Sequence, residues 1–141
     1  MSRLSKSIQA DDAEVLVAAR KLTAEDHGKT FFLSLAGGFN VTLPPVALGL
    51  KFKFVVKTAP TTAYTITSVD YAGSAANLIK GHVLTTDVNS ATDPDFDTTA
   101  IDVLTFVANK AVAGDVCELE CDGTNWFYSA RVSVFDAFTG A

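Results

Sequence analysis

Residues 28–67 read GKTFFLSLAGGFNVTLPPVALGLKFKFVVKTAPTTAYTIT, and the fold is decided here. Phe31, Leu33 and Leu35 share one parity before Gly37-Gly38 interrupts the run. Phe39, Val41 and Leu43 resume it, and Pro44-Pro45 stops it. After Gly49, Phe52, Phe54 and Val56 point one way while Lys51, Lys53 and Lys57 point the other. Apolar residues at every second position, many of them aromatic or β-branched, mark strands with one buried face. Three such strands joined by short turns predict a β-meander, with Tyr64–Thr67 following after a turn at 58–63.

Upstream, Ala13–Leu22 (AEVLVAARKL) carries Val15, Val17 and Ala19 in alternation and is read as a further strand. Thr23–Gly28 (TAEDHG) predicts a single helical turn, with Thr23 as cap, Asp26 three residues on, and Gly28 leaving through the left-handed region. Residues 1–12 have no usable period around Leu4 and Ile8 and are read as an extended arm. Downstream, 69–77 is loop and Leu78–Leu84 a short strand broken by Gly81. Thr85–Thr99 is the longest polar stretch, and Ile101–Ala108 (IDVLTFVA) is a strand with apolar residues on both faces. Cys117–Ala130 (CELECDGTNWFYSA) reads as a hairpin. Asp122-Gly123 suits a tight two-residue turn, which would set Leu119 opposite Trp126 and Cys117 opposite Tyr128 on a buried face. In the tail, Val132, Val134, Phe135 and Phe138 are too apolar to lie in water and should dock on the domain or on a neighbour.

Together these segments predict an all-β protein: an antiparallel β-sandwich or barrel, jelly-roll-like, of about eight to ten short strands. The arm would occupy 1–12 and a single domain 13–141. A chain of 141 residues fits one domain, and 48% hydrophobic against 19% charged residues argues for a packed core.

Composition also excludes function classes. A net charge of −5 opposes binding to phosphate backbones, so no nucleic acid is expected. Neither a secretory signal nor an apolar run long enough to cross a bilayer is present, so synthesis in a cytoplasm and no membrane contact are expected. Gly28-Lys29-Thr30 imitates the end of a phosphate loop, but Thr23 stands where that motif needs glycine, and a strand follows instead of a helix. Asn40-Val41-Thr42 matches a glycosylation sequon but lies within a strand. No Gly-x-Ser-x-Gly elbow occurs, Glu118 and Glu120 read as solvated, and His27 and His82 read as surface residues, so no enzyme activity and no cofactor are expected. Asp93, Asp95 and Asp97 alternate like the start of a calcium loop, yet the sixth-position glycine is missing and Leu104 takes the twelfth place. Cys117 and Cys121, four apart on one strand, would lie about 13 Å apart, beyond disulfide reach, and are read as buried thiols. With no other Cys and only two His, zinc is not expected.

GKTFFLSLAGGFNVTLP, GLKFKFVVKTAPTTAYTIT and CELECDGTNWFYSA together resemble a β-module of tailed-bacteriophage virion proteins, found in capsid decoration (cement) proteins, head fibres and tail fibres. The matching pieces cover most of residues 22–130. The resemblance implies a structural role in a virion. Because the chain is nearly all module, it favours a decoration protein on the outer shell, with the major capsid protein as partner and self-association as a homotrimer. Arg3, Leu4, Lys6 and Ile8 of the arm, with Phe135 and Phe138 of the tail, are the expected partner contacts. A head-fibre or tail-fibre component is the alternative, in which Tyr71 and Phe96 would meet host sugars.

Overall fold

A computed structural model describes residues 12–86 and 96–141, with the side chains of 96–98 outside the description. These residues form β1 (Ala13–Leu16), β2 (Arg20–Lys21), β3 (Thr30–Leu33), β4 (Asn40–Thr42), β5 (Lys51–Val56) and β6 (Tyr64–Thr67). They continue with β7 (Ile79–Thr85), β8 (Phe96–Ile101), β9 (Val103–Phe106), β10 (Val116–Cys121), β11 (Trp126–Val132) and β12 (Phe138–Gly140). One sheet has seven strands in the order β1-β3-β5-β10-β11-β7-β8, and the other has five in the order β12-β9-β6-β4-β2. The sheets form the expected all-β sandwich, and neither closes into a barrel.

The chain is wound differently from a meander. Its first six strands alternate between the sheets, so β3 and β5 are parallel neighbours while β4 lies in the opposite sheet beside β6. Parallel neighbours need a crossover, and here the crossover is a strand of the facing layer. Period-two alternation shows which side of a strand is buried but is silent on which sheet holds it. Both layers present the same pattern to one core. The six residues 34–39 (SLAGGF), longer than a tight hairpin turn, span sheets packed about 10 Å apart. Gly38 makes that passage possible. Its φ is 70°, and a Cβ there would run into the backbone of Thr62 and Ala63. The sheets are therefore mixed rather than antiparallel, with parallel pairs at β1–β3, β3–β5, β11–β7, β2–β4 and β4–β6.

Three further expectations are corrected. Ala13–Leu22 is two strands in different sheets, with the change of layer at 17–19. Ile101–Ala108 also divides, at Asp102, where the chain leaves β8 for β9; Leu104 and Phe106 are buried, while Val103, Thr105 and Val107 are half-buried. The hairpin turn is longer than two residues. Asp122 Oδ1 accepts the N–H groups of Thr124 (2.8 Å) and Asn125 (2.7 Å), and the Asp122 N–H donates to the Asn125 carbonyl (3.1 Å). The carboxylate thus caps a four-residue loop. Register moves by two places, to Cys121 opposite Trp126, Leu119 opposite Tyr128 and Cys117 opposite Ala130. A shift of two leaves the buried face unchanged.

The helical turn is present as a 3₁₀ turn at Ala24–Asp26, with Gly28 at φ 81°. The core lies between the sheets. Phe31 stacks on Phe54 (centroids 5.7 Å apart), Phe52 meets Trp126 (5.8 Å), and Phe106 meets Phe138 edge to face (4.8 Å). Cys117 and Cys121 are free and buried in this layer, as expected.

Candidate interaction surfaces

Of the expected contact residues, Phe135 and Phe138 are described. Arg3, Leu4, Lys6 and Ile8 lie outside the described residues, as do Asp93, Asp95 and the side chains of Phe96 and Asp97. Phe138 belongs to the core. β12 pairs with β9, the Phe138 ring packs on Phe106 and Tyr128, and 2% exposure leaves no surface to offer another molecule. Of the two fates open to the tail, Phe138 takes docking on its own domain. Phe135 is half-buried in the turn between β11 and β12.

At one end of the sandwich lie residues 22–29, 43–50, 68–78 and 122–125, which follow β2, β4, β6 and β10. Two large side chains stand out from this end, Leu48 at 82% and Tyr71 at 80% exposure. Both are held on braced loops. Asp70 Oδ1 accepts the N–H groups of Ala72 and Ser74, each at 2.9 Å, and Val69 bridges to Ala75, so Tyr71 sits at the tip of a closed turn. The Tyr71 hydroxyl donates to the Val46 carbonyl at 3.1 Å and ties that tip to the loop bearing Leu48. The Leu48 loop is fixed in turn by the Gly49 N–H, which donates to the Cys121 carbonyl (2.9 Å). Asp122 lies in the adjoining turn, its carboxyl held below the ordinary range by the N–H groups of Asn125 and then Thr124. The hydrophobicity of Leu48 gave no hint of its position, because Pro44-Pro45 and Gly49 mark a loop without telling which of its side chains is left outside.

Asp12 is at the same end, its carbonyl accepting the Thr30 N–H at 2.8 Å. Beside it, a charged cluster joins β1, β2 and the 3₁₀ turn. Arg20 reaches Glu14 (2.6 Å) and Asp26 (3.2 Å), and Lys29 reaches Asp26 (3.3 Å). Asp26 is buried and also accepts the Thr23 N–H (3.0 Å). Burial alone would raise its carboxyl. The Thr23 N–H, Lys29 and Arg20 together outweigh that and hold it below the ordinary range.

The outer face of the seven-stranded sheet is the second surface. Strand register sets its outward side chains in level rows. The middle row runs Thr30, Lys53, Glu118, Ser129, His82 from β3 to β7. On one side of it lies Val15, Phe32, Val55, Val116, Arg131, Leu84, apolar except for the arginine. On the other side stand Lys51, Glu120, Phe127 and Lys80. An open recess of about 620 Å³ runs across these strands, with Gly28 and Lys29 at one end and Gly81 and His82 at the other. Its ion pairs are loose: Lys51–Glu120 at 3.6 Å, Lys53–Glu118 at 3.8 Å and Arg131–Glu118 at 4.0 Å, all between exposed or half-exposed groups.

Burial pushes the Cys117 thiol far up, which removes its thiolate. His27 Nδ1 accepts the Lys51 N–H at 3.2 Å, and His82 is exposed on β7. No group of three or more metal-ligating side chains occurs among the described residues. No family model, no curated protein and no solved structure matches the chain.

Proposed function

We propose that this protein is a bacteriophage capsid decoration protein, which docks its loop-bearing end on the outer surface of the assembled shell and stabilises it. The class comes from the resemblance of the three segments quoted above. The docking end comes from Leu48 and Tyr71, two large side chains raised on braced loops beside Asp12, where the arm joins the domain. Apolar and aromatic groups that project from a rigid support are the usual anchors of protein interfaces, and burying one leucine contributes about 1.5–3 kcal/mol. Preorganised loops lose little entropy on docking. A protein that binds the assembled lattice and not free subunits stabilises assembly by its binding free energy, and repetition over a shell multiplies weak contacts.

The test is sedimentation with shells assembled without this protein. The native chain is expected to pellet with shells. The Leu48→Asp/Tyr71→Ser variant is expected to keep its melting temperature and stay in the supernatant. Deleting residues 2–10 is expected to leave the melting temperature nearly unchanged and to weaken attachment; equal recovery of the truncated and full-length chains would show that the arm is no anchor. Equal pelleting of the variant refutes docking through this end. The fibre reading draws on the same Tyr71: its hydroxyl is occupied and its ring is free, as stacking on a sugar requires. Binding to host cells but not to shells would favour it.

A further inference from the structure

We infer that two copies of this chain pack the outer faces of their seven-stranded sheets together, about a two-fold axis parallel to the strands and midway between β5 and β10. The observation is the register of that face. A rotation about this axis brings β5 over β10 of the second copy, β3 over β11, and β1 over β7. Residues at one level then meet residues at the same level. Lys53 comes over Glu118 and Lys51 over Glu120, each twice by symmetry. In the next row Val55 meets Val116, Val15 meets Leu84, and the Phe32 ring meets the Arg131 guanidinium, a favourable cation–π pairing. In the row beyond, Phe127 falls above Gly28, whose N–H bonds the Lys51 carbonyl and where an added Cβ would meet nothing within 4 Å. At the centre of each of the three rows the facing residues are complementary: Lys53 with Glu118, Lys51 with Glu120 and Val55 with Val116.

A second copy fits better than an acidic ligand. Lys51, Lys53, Lys80 and Arg131 would attract one, but Glu118 and Glu120 stand in the middle of the face and would repel it. Pairing between copies uses both signs. The ion pairs within one chain are long and loosely held, so their lysines can turn to the second copy at little cost. Six strands about 4.8 Å apart and about five residues deep give a footprint of roughly 500 Å² a side, at the small end of specific interfaces. Association is therefore concentration-dependent, and it weakens as salt screens the central charges. The inference does not rest on the proposed attachment to a shell, and it sets a two-fold dimer in place of the homotrimer that the resemblance implies.

Sedimentation equilibrium tests it. The native chain is expected to approach twice its 14.9 kDa mass as concentration rises, and to fall back towards one chain in high salt. Two variants carry the argument: Lys51→Glu/Lys53→Glu makes the centre of the face wholly acidic, and Glu118→Lys/Glu120→Lys makes it wholly basic. Each alone should dissociate at least about tenfold more readily, since like charges then face each other. Mixed together they should form a heterodimer, because every contact is again between opposite charges. Repulsion within one chain cannot produce rescue by mixing. Val15→Arg, at an exposed edge position, provides a disruption that leaves the central charges alone and should also weaken association at least about tenfold. A native chain that stays monomeric up to about 100 μM overturns the inference. So does a trimer, a set of variants as dimeric as the native chain, or a mixture that fails to associate. A monomer that captures a poly-glutamate probe overturns it in favour of an acidic partner.

Discussion

Tyr128 of β11 lies directly against Gly81 of β7, its register partner in a parallel pair. A Cβ at position 81 would overlap the Tyr128 carbonyl oxygen and the near edge of its ring, and Gly81 has φ 158° beside a bulge in the β7–β8 pairing. The glycine that interrupts the sequence pattern is thus the residue that allows β7 to join the sheet. Gly81→Ala is expected to destabilise the protein by about 2–3 kcal/mol through overlap and backbone strain, read as a lower denaturant midpoint. An unchanged midpoint would show that β7 and β11 do not approach this closely.

Trp126 is fully buried against Phe52, and its indole N–H has no acceptor among the described residues. Trp126→Ala should cost about 3–5 kcal/mol, the range for deleting a large buried aromatic. Trp126→Phe should cost less than half as much, since it keeps a ring and removes a buried donor that has no bond to lose. Equilibrium unfolding of the two variants checks both values. The native fluorescence should be blue-shifted and poorly quenched by acrylamide.

Asp26 makes stability pH-dependent. Its folded carboxyl titrates below the unfolded value, so its contribution is full above the unfolded value and is lost as pH falls through the folded one. Asp26→Asn should cost about 1–3 kcal/mol at neutral pH, through lost charge-assisted bonds to Thr23, Arg20 and Lys29. On acidification through the carboxylate range, the native protein should lose that advantage until the two melt together. A gap that stays constant down to the acid limit would contradict the role given to this cluster.

Cys117 and Cys121 sit on the inner face of β10 with Leu119 between them. Thiol counting without reductant should find two thiols per chain in denaturant and almost none reactive in the folded state. An intramolecular bridge would break the strand assignment, because two residues four apart on one strand are about 13 Å apart.

What the sequence disclosed, and what it hid, follows from the range of each signal. Alternation identified Phe31, Leu33, Phe52, Phe54 and Trp126 as buried because side-chain parity is local. Parity carries no information on which layer a strand joins, so the winding of β1 to β6 between two sheets was out of reach, and so was the parallel pairing that results. Asp122-Gly123 marked the turn correctly, but its length was decided by a side-chain carboxylate bonding two residues ahead, a choice between two locally sound turns. Tyr71 was legible as a loop aromatic. Leu48 was not, since only the meeting of three loops leaves it outside. The rows on the outer face were hidden for the same reason: Lys53 and Glu118 are 65 positions apart, and register alone makes them neighbours.

The most direct test of the central claim is an electron-microscopic difference map between shells with and without this protein. Attachment as a decoration protein predicts added density on the outer surface of the shell, with the loops of Leu48 and Tyr71 at its base. Density on a fibre or tail, or none on the shell at saturating protein, would contradict it.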